Sequence, residues 1–487
     1  FAGFFIFAPH HPPFMKNTLK KITLVVLLIC INGHTSIARN GMWIPTLLKQ
    51  LNETDLKTMG LQIPVEELFN SDSTGINHAI VQFGGGCTGE IVSDRGLLIT
   101  NHHCGFGQIQ SLSSIENNYL ENGYWAKTDA DELPCPGLSV TFIREIMDVT
   151  AAVNARLSAS INESERDKLI KNSTDSLEKI HSRSTTSKAI VKSFFGGNQF
   201  YLFITETYKD VRFVGAPPSS VGNFGGETDN WVWPRHTGDF SLFRIYAGKD
   251  NQPAEYAKEN TPYQPIRSFV IDASGVNEGD FTMVYGFPGR TQQFLTSSAI
   301  DLIEHQTNTT RIALRDIRLN IWREAMLEND TIDLQYASKF RTLANAYKKW
   351  KGELLGLKSE QVLSKRQDFE KLHTKDCIGE TAGAVNAAID SSKTLSRMND
   401  FYTEGFYGIE LIALAARFKT LSDLCRATSP DEKKITQAAD KMLDEIPGFY
   451  KNYDADVDLQ VALAMLDFCS KEIPTEFLPE FMTIYRK

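Results

Sequence analysis

The longest apolar run in these 487 residues, ITLVVLLICI at 22–31, is about half of the ~20 residues needed to cross a bilayer, which argues against a retained membrane helix. Basic residues are also short. Lys and Arg number 51 against 60 Asp and Glu, and the formal charge of −9 is wrong for a chain that must grip phosphate backbones, so no nucleic-acid partner is expected. No block of like charges, low-complexity tract or internal repeat occurs, which sets aside interaction tails, disordered linkers and solenoids.

What is present describes a globular chain, 42% hydrophobic and 23% charged. Its length exceeds one ordinary core, so two or more domains are expected. Met15-Lys16 and Lys20-Lys21 precede the apolar run, and Ser36-Ile37-Ala38 offers a small-x-small cleavage site behind it. Together they read as a secretory signal over residues 15–38, with 1–14 as upstream sequence and a mature start near Arg39. Bulky Leu28-Ile29 argues against a lipoprotein at Cys30. The expected location is secreted or periplasmic. Once Cys30 leaves with the signal, Cys87, Cys104, Cys135, Cys377, Cys425 and Cys469 remain, an even number that favours disulfides over metal or redox chemistry.

From Ala79 the pattern turns to strands. Residues 79–83 run into three glycines, and 89–92 and 97–100 flank the turn Ser93-Asp94-Arg95-Gly96, a hairpin signal. Further strands are expected at 139–146, 200–207, 240–246 and 280–285, with a charged, helix-like excursion at 158–184. Beyond Ser297, apolar residues recur three or four apart, as at Leu314, Ile317 and Ile321 or at Tyr407, Leu411, Leu414 and Phe418. Thr428-Ser429-Pro430 and Ile446-Pro447-Gly448 are expected to end helices. The layout is mixed β and α: a β domain over 39–290 and a helical domain over 291–487, behind the 1–38 leader.

The densest chemistry lies at Thr100-Asn101-His102-His103-Cys104, read as the end of an apolar strand. Three readings compete. The bland one is a strand end with a disulfide and two satisfied imidazoles. A metal site is disfavoured, because neighbouring strand residues face opposite ways and no His-x-Glu or Cys-x-x-Cys companion lies nearby. The third is a general base held still by a disulfide at the next residue. It gains from context, since the stretch resembles the chymotrypsin-type serine peptidases. There a Cys-Gly-Gly-Ser-type strand leads to Ala-Ala-His-Cys and the cysteines pair; here the matching residues are Cys87-Thr88-Gly89-Glu90 and Asn101-His102-His103-Cys104. The resemblance makes His103 the base and pairs Cys87 with Cys104. Closing the loop from Cys87 to Cys104 in this way is worth ~3 kcal/mol in the chain-entropy picture. A histidine base needs a carboxylate to fix its tautomer. Asp239, just before the run Phe240, Leu242, Phe243 and Ile245, is the favoured partner and Asp229 the rival, although either could simply cap a turn.

Four ordered stretches narrow the resemblance: TNHHCG at 100–105, DNWVWPRHTGDF at 229–240, VYGFPGRT at 284–291 and ANAYKKWKG at 344–352. On a β-then-helix layout, they resemble the bacterial dipeptidyl-peptidase-7/dipeptidyl-peptidase-11 family from Gly41 to the end. The resemblance implies a chymotrypsin-type double β-barrel with a large all-α domain inserted into the second barrel. It further implies homodimers at full length, no metal or other cofactor, and release of dipeptides from peptides with a free N-terminus. Carried over by residue, the base falls on His103, the triad aspartate on Asp239, and the groups holding the substrate's amino terminus on Asn230, Trp231 and Asn345. The chemistry suits them: an α-ammonium with pKa of about 8 offers three donors, which two asparagine carbonyls can receive. Plainer readings stand beside these, with Trp231 and Trp233 as core packing and Asn345 as a polar residue on an exposed helix face.

The family's nucleophilic serine, in a Gly-Asn-Ser-Gly-type turn, has no counterpart here; Gly197-Asn198-Gln199 and Gly222-Asn223-Phe224 are the nearest matches. The resemblance therefore implies a chain cut inside the helical domain, with its second barrel incomplete and no peptidase activity of its own. The alternatives are a secreted trypsin- or protease-Do-like endopeptidase, which explains His103 and Asp239 but not Asn230 and Asn345, and a non-catalytic peptide-binding module that has lost its serine.

Overall fold

Strands β1 (Ile80–Phe83), β2 (Cys87–Ile91) and β3 (Leu97–Thr100) form an antiparallel meander. They open the sheet of a computed structural model that describes residues 42–485 except 73, 156, 158–161, 227–229, 290, 291 and 293. The signal and the upstream residues lie outside those described. Gly96 makes the turn into β3 at φ 62°, where a Cβ would meet the Tyr263 carbonyl at 2.9 Å, so the hairpin needs glycine there.

The remaining strands are β4 (Tyr124–Trp125), β5 (Leu133–Pro134), β6 (Val140–Asp148), β7 (Ser187–Phe194), β8 (Gln199–Tyr208), β9 (Asp210–Ala216), β10 (Ser241–Ala247) and β11 (Thr261–Pro262). Their order is β4-β9-β10-β3-β2-β1-β6-β8-β7, with β5 on β9 and β11 on β10. Only Lys209 separates β8 from β9, yet the two stand far apart in that order. The sheet must therefore curl until its two flanks nearly meet. Inside the curl lie Val81, Phe83, Ile91, Leu98, Val140, Phe142, Phe213, Phe243 and Ile245, all buried. Phe243 holds the centre, 4.8 Å from Phe83 and 5.4 Å from Phe213 between ring centroids.

The helices include α1 (Glu53–Met59), α2 (His102–Leu112), α3 (Glu163–His181), α4 (Asn308–Glu328), α5 (Asp330–Ser359), α6 (Cys377–Asp400), α7 (Glu432–Lys451) and α8 (Ala455–Glu472), with further helices such as Val362–Leu372 and short turns between them. Residues of α4, α5, α6 and α8 build a second core around Leu314, Trp322, Tyr336, Met398, Val461 and Met465. Helix α5 also touches the sheet: Leu334 and Ala337 pack on the first core, and the Gln110 side chain of α2 donates to the carbonyls of Leu334 and Gln335. The described residues from Pro45 onward belong to one compact unit, which contains both cores. No helix among the described residues is long and apolar enough to cross a membrane.

Two expectations fail. Residues 280–285 form no strand, and among the described residues none lies beyond Pro262. An apolar stretch becomes a strand only by pairing, and this one has no ladder partner among the described residues; Val284 is 101% exposed. Pro447 does not end a helix but sits inside α7. Its exposed position lets the carbonyl one turn back bond to water instead of the missing N–H. Cys135, Cys377, Cys425 and Cys469, whose pairing the sequence left open, are unpaired: Cys377 and Cys425 are exposed, while Cys135 and Cys469 are buried in the two cores as small apolar fillers.

Candidate active site

The stretch after β3 is a helix start rather than a strand end. Asn101 is extended (φ −66°, ψ 149°) and occupies the N-cap position, and α2 begins at His102. Asn101 makes no side-chain cap. The His103 N–H in the first turn looks instead to Asp239, which arrives from the approach to β10. Its Oδ1 accepts the His103 backbone N–H at 3.0 Å, and its Oδ2 accepts from His103 Nδ1 at 2.8 Å. One carboxylate thus caps the helix from another element and orients the imidazole, and the helix dipole favours its charge. Asn101 Nδ2 adds bonds of 3.3 Å to the same carboxylate and to the Asp239 carbonyl, and Arg235 Nη2 stands 3.7 Å from Oδ2.

Burial pushes the Asp239 carboxyl upward, but the hydrogen bonds from the His103 ring and backbone outweigh it. With the charges of His103 and Arg341, they hold Asp239 at about 2. An ionised acceptor at Nδ1 places the ring proton there and leaves Nε2 with its lone pair, on a side chain 48% exposed. Directly behind His103, Cys104 is bridged to Cys87 with Cα atoms 6.1 Å apart. Cys87, His103 and Cys104 crowd within 4.8 Å, but both sulfurs are spent in the bridge and cannot act as thiolate ligands. Gly105 permits the close approach of α2 to β10, since a Cβ there would lie 2.8 Å from Ser241 Oγ and 3.0 Å from the Phe243 ring.

His102 has a different fate. It is fully buried against the Gly222 backbone, where a Cβ would lie 2.3 Å from its ring, and edge-on to Phe106. Neither ring nitrogen makes a well-formed hydrogen bond, the Pro217 carbonyl being at best a marginal acceptor. Burial, helped by the Arg341 charge, lowers its pKa to about 4 from 6.5. The unfolded chain therefore takes up this proton first. The neutral ring's contribution of about 3 kcal/mol is complete above pH ~6.5 and disappears as pH falls through about 4. His102→Leu is expected to flatten the stability curve across that window, measured by urea unfolding at several pH values; an unchanged slope would place the acid sensitivity elsewhere.

A second cluster assembles where α5 meets the loop before β10. Asn345 Oδ1 accepts from Asn230 Nδ2 at 3.1 Å and from Trp231 Nε1 at 3.0 Å, while Arg235 reaches Asn230 Oδ1 at 3.4 Å. Trp231 is 55% exposed and held at φ 63°, a left-handed conformation costly for a bulky residue and often found where function demands it. Trp233 is 88% exposed, so neither tryptophan is core packing. Asp229, the rival carboxylate, lies outside the described residues. Sequence reading missed Asn101, Arg235, Gly105 and Arg341. Arg235 and Arg341 were detectable only by spacing, each standing four residues before Asp239 and Asn345.

A base with an ionised orienting acid, set beside an amide cluster that can receive an ammonium, can serve as the acid–base half of an acyl-transfer site. The chain belongs to the Peptidase S46 family, which matches residues 38–486. It is 40% identical over 458 residues to an Asp/Glu-specific dipeptidyl-peptidase of Capnocytophaga gingivalis, covering 90% of this chain and 63% of that protein. It is 38% identical over 475 residues to dipeptidyl-peptidase 7 of Porphyromonas gingivalis, covering 96% of this chain and 65% of the relative. The crystal structure of Porphyromonas endodontalis DPP11 in complex with the dipeptide Arg-Glu superposes with a TM-score of 0.78 at 33% identity, over 91% of this chain and 65% of that one. The chain therefore spans just under two thirds of the length of these relatives.

Proposed function

We propose that this chain is the N-terminal portion of a serine-type dipeptidyl-peptidase that releases dipeptides from the free amino terminus of peptides. Residues 39–290 would supply a chymotrypsin-type barrel and the start of a second, and 291–487 part of an inserted helical domain. A leader over 15–38 would send the enzyme to the periplasm or beyond, where the full-length protein would work as a homodimer. The observation that carries the reading is the joint presence of the His103–Asp239 pair and the Asn230–Trp231–Asn345 cluster, the latter completed by a helix from the second core.

In this mechanism His103 Nε2 takes the proton of a serine hydroxyl from the portion of the protein beyond this chain, as the serine oxygen bonds the scissile carbonyl. The same nitrogen then returns the proton to the leaving amine, and water repeats the sequence to free the dipeptide. Asp239 keeps the proton on Nδ1 throughout. The substrate ammonium replaces the Asn230 amide as donor to Asn345 Oδ1, so substrate register is counted from the amino terminus. Acetylating that amine removes both its charge and its donors. A dipeptidyl chromogenic substrate is expected to be cleaved far faster than its N-acetyl twin, and Asn345→Ala should lower kcat/KM for the free form by about 10–150-fold, the worth of one charge-assisted hydrogen bond. Equal cleavage of the two substrates would point to an endopeptidase.

A further inference from the structure

We propose that the cleft between α4 and α5 is a binding site for a small organic carboxylate, held by the indole N–H of Trp322 and the Nε–H of Arg318. The inference goes beyond the peptidase reading, because it concerns a pocket in the helical region and needs no catalytic step. The cleft has a volume of about 450 Å³, within the usual range for small-molecule sites. Arg315, Arg318 and Trp322 reach it from α4, where spacings of three and four residues put them on one face. Ser338, Lys339 and Thr342 reach it from α5, and Thr342 is exposed to solvent.

Two features point to an anion. The first is a pair of orphan donors. Trp322 is 4% exposed and Arg318 8%, yet neither Trp322 Nε1 nor Arg318 Nε has a hydrogen-bond partner among the described residues. Both groups can only donate, and a buried donor left unmatched is a costly arrangement. The second is a charge imbalance. Glu404 serves two guanidinium groups: its Oε1 accepts from Arg315 Nη2 at 2.6 Å, and its Oε2 from Arg315 Nε at 2.9 Å and Arg318 Nη2 at 2.7 Å. Lys339 is matched by Glu410, at 2.7 and 3.0 Å. Three lining cations are thus paired with two carboxylates, neither of which lines the cleft. A bound carboxylate answers both features, with one oxygen for the indole, one for the guanidinium, and a charge for the unmatched cation. Water would satisfy the donors alone. The donors are also fixed in place. A Cβ at Gly408 would lie 3.0 Å from Arg318 Cζ, and the Trp322 ring stands edge-on to Tyr336 at 5.3 Å. That ring and Leu343 give the cleft an apolar wall for the ligand's carbon chain.

The test is ligand binding by the full-length protein, read as its unfolding temperature at fixed ionic strength in sodium chloride. Replacing chloride with propionate should raise that temperature saturably, whereas propionamide, which keeps the shape but not the charge, should leave it unmoved. Trp322→Phe keeps an aromatic ring and removes the N–H, and should weaken propionate binding by about ten-fold or more, the worth of one hydrogen bond to a charged group. Ala346→Leu, at a less buried point of the lining, fills the cleft without touching the donors and should abolish the response even if Trp322→Phe folds poorly. The proposal is overturned by an equal response to propionate and propionamide, by no saturable response, or by a propionate response that survives Ala346→Leu undiminished. Turnover enters none of these readings, so the outcome stands apart from that of the peptidase reading, which His103→Ala decides.

Discussion

In the full-length enzyme, His103→Ala is expected to lower kcat by roughly a million-fold and Asp239→Asn by about ten-thousand-fold, the losses seen when a triad loses its base or its orienting acid. The asymmetry follows from the geometry. Without His103 nothing takes the nucleophile's proton, whereas without the Asp239 charge the imidazole survives but no longer has its tautomer imposed. Asp239→Asn has a second, independent signature, because the carboxylate also accepts the His103 backbone N–H at the head of α2. Its depression from 3.8 to about 2 is worth about 2 kcal/mol of stability above pH ~4, lost as pH falls through about 2. The variant should therefore be less stable than wild type at neutral pH and converge with it in strong acid. Single-turnover kinetics and unfolding at the two extremes check both halves. Normal turnover by His103→Ala would make the pair a structural cap and nothing more.

The sequence carried the parts of the site that depend on residue order and lost those that depend on pairing across the chain. The hairpin around Ser93–Gly96 was legible because turn chemistry and alternation agree locally. Strand β9 was not: no strand was expected after 207, and only Lys209 separates β9 from β8, although the two pair with different neighbours. The change from strand to helix at Asn101 was missed for a related reason. The acceptor for the His103 N–H in the first turn is Asp239, more than a hundred residues away, while Asn101 at the N-cap makes no side-chain cap, so the helix start depends on a contact that residue order does not show. His103 and Asp239 could be named from their motifs. The burial of His102 against Gly222 and the approach of Arg341 to Phe106 could not, since both arise from packing between elements distant in sequence.

Residues 39–487 expressed alone are expected to give no labelling with a serine-directed fluorophosphonate, while the same residues joined to their downstream reading frame should label strongly. Base and acid alone cannot carry out acyl transfer, and losing even one oxyanion donor typically costs ~100–1,000-fold. The short form should also aggregate more readily. Gly286 and Phe287 are anchored on β2 through Thr88, whose hydroxyl accepts the Phe287 N–H at 2.8 Å. The residues before them are not so covered: Val270, Ile271, Val276 and Val284 are 92%, 67%, 70% and 101% exposed in a stretch without a strand partner. Extended apolar backbone with free N–H and C=O groups is a template for pairing with other chains. Sedimentation of the two forms at matched concentration reports this, and labelling reports the chemistry. If the extended form labels, His103→Ala should weaken it by lowering the nucleophile's reactivity. Specific labelling of the short form would place the nucleophile among its own serines, and the triad would then have to be rebuilt around that residue.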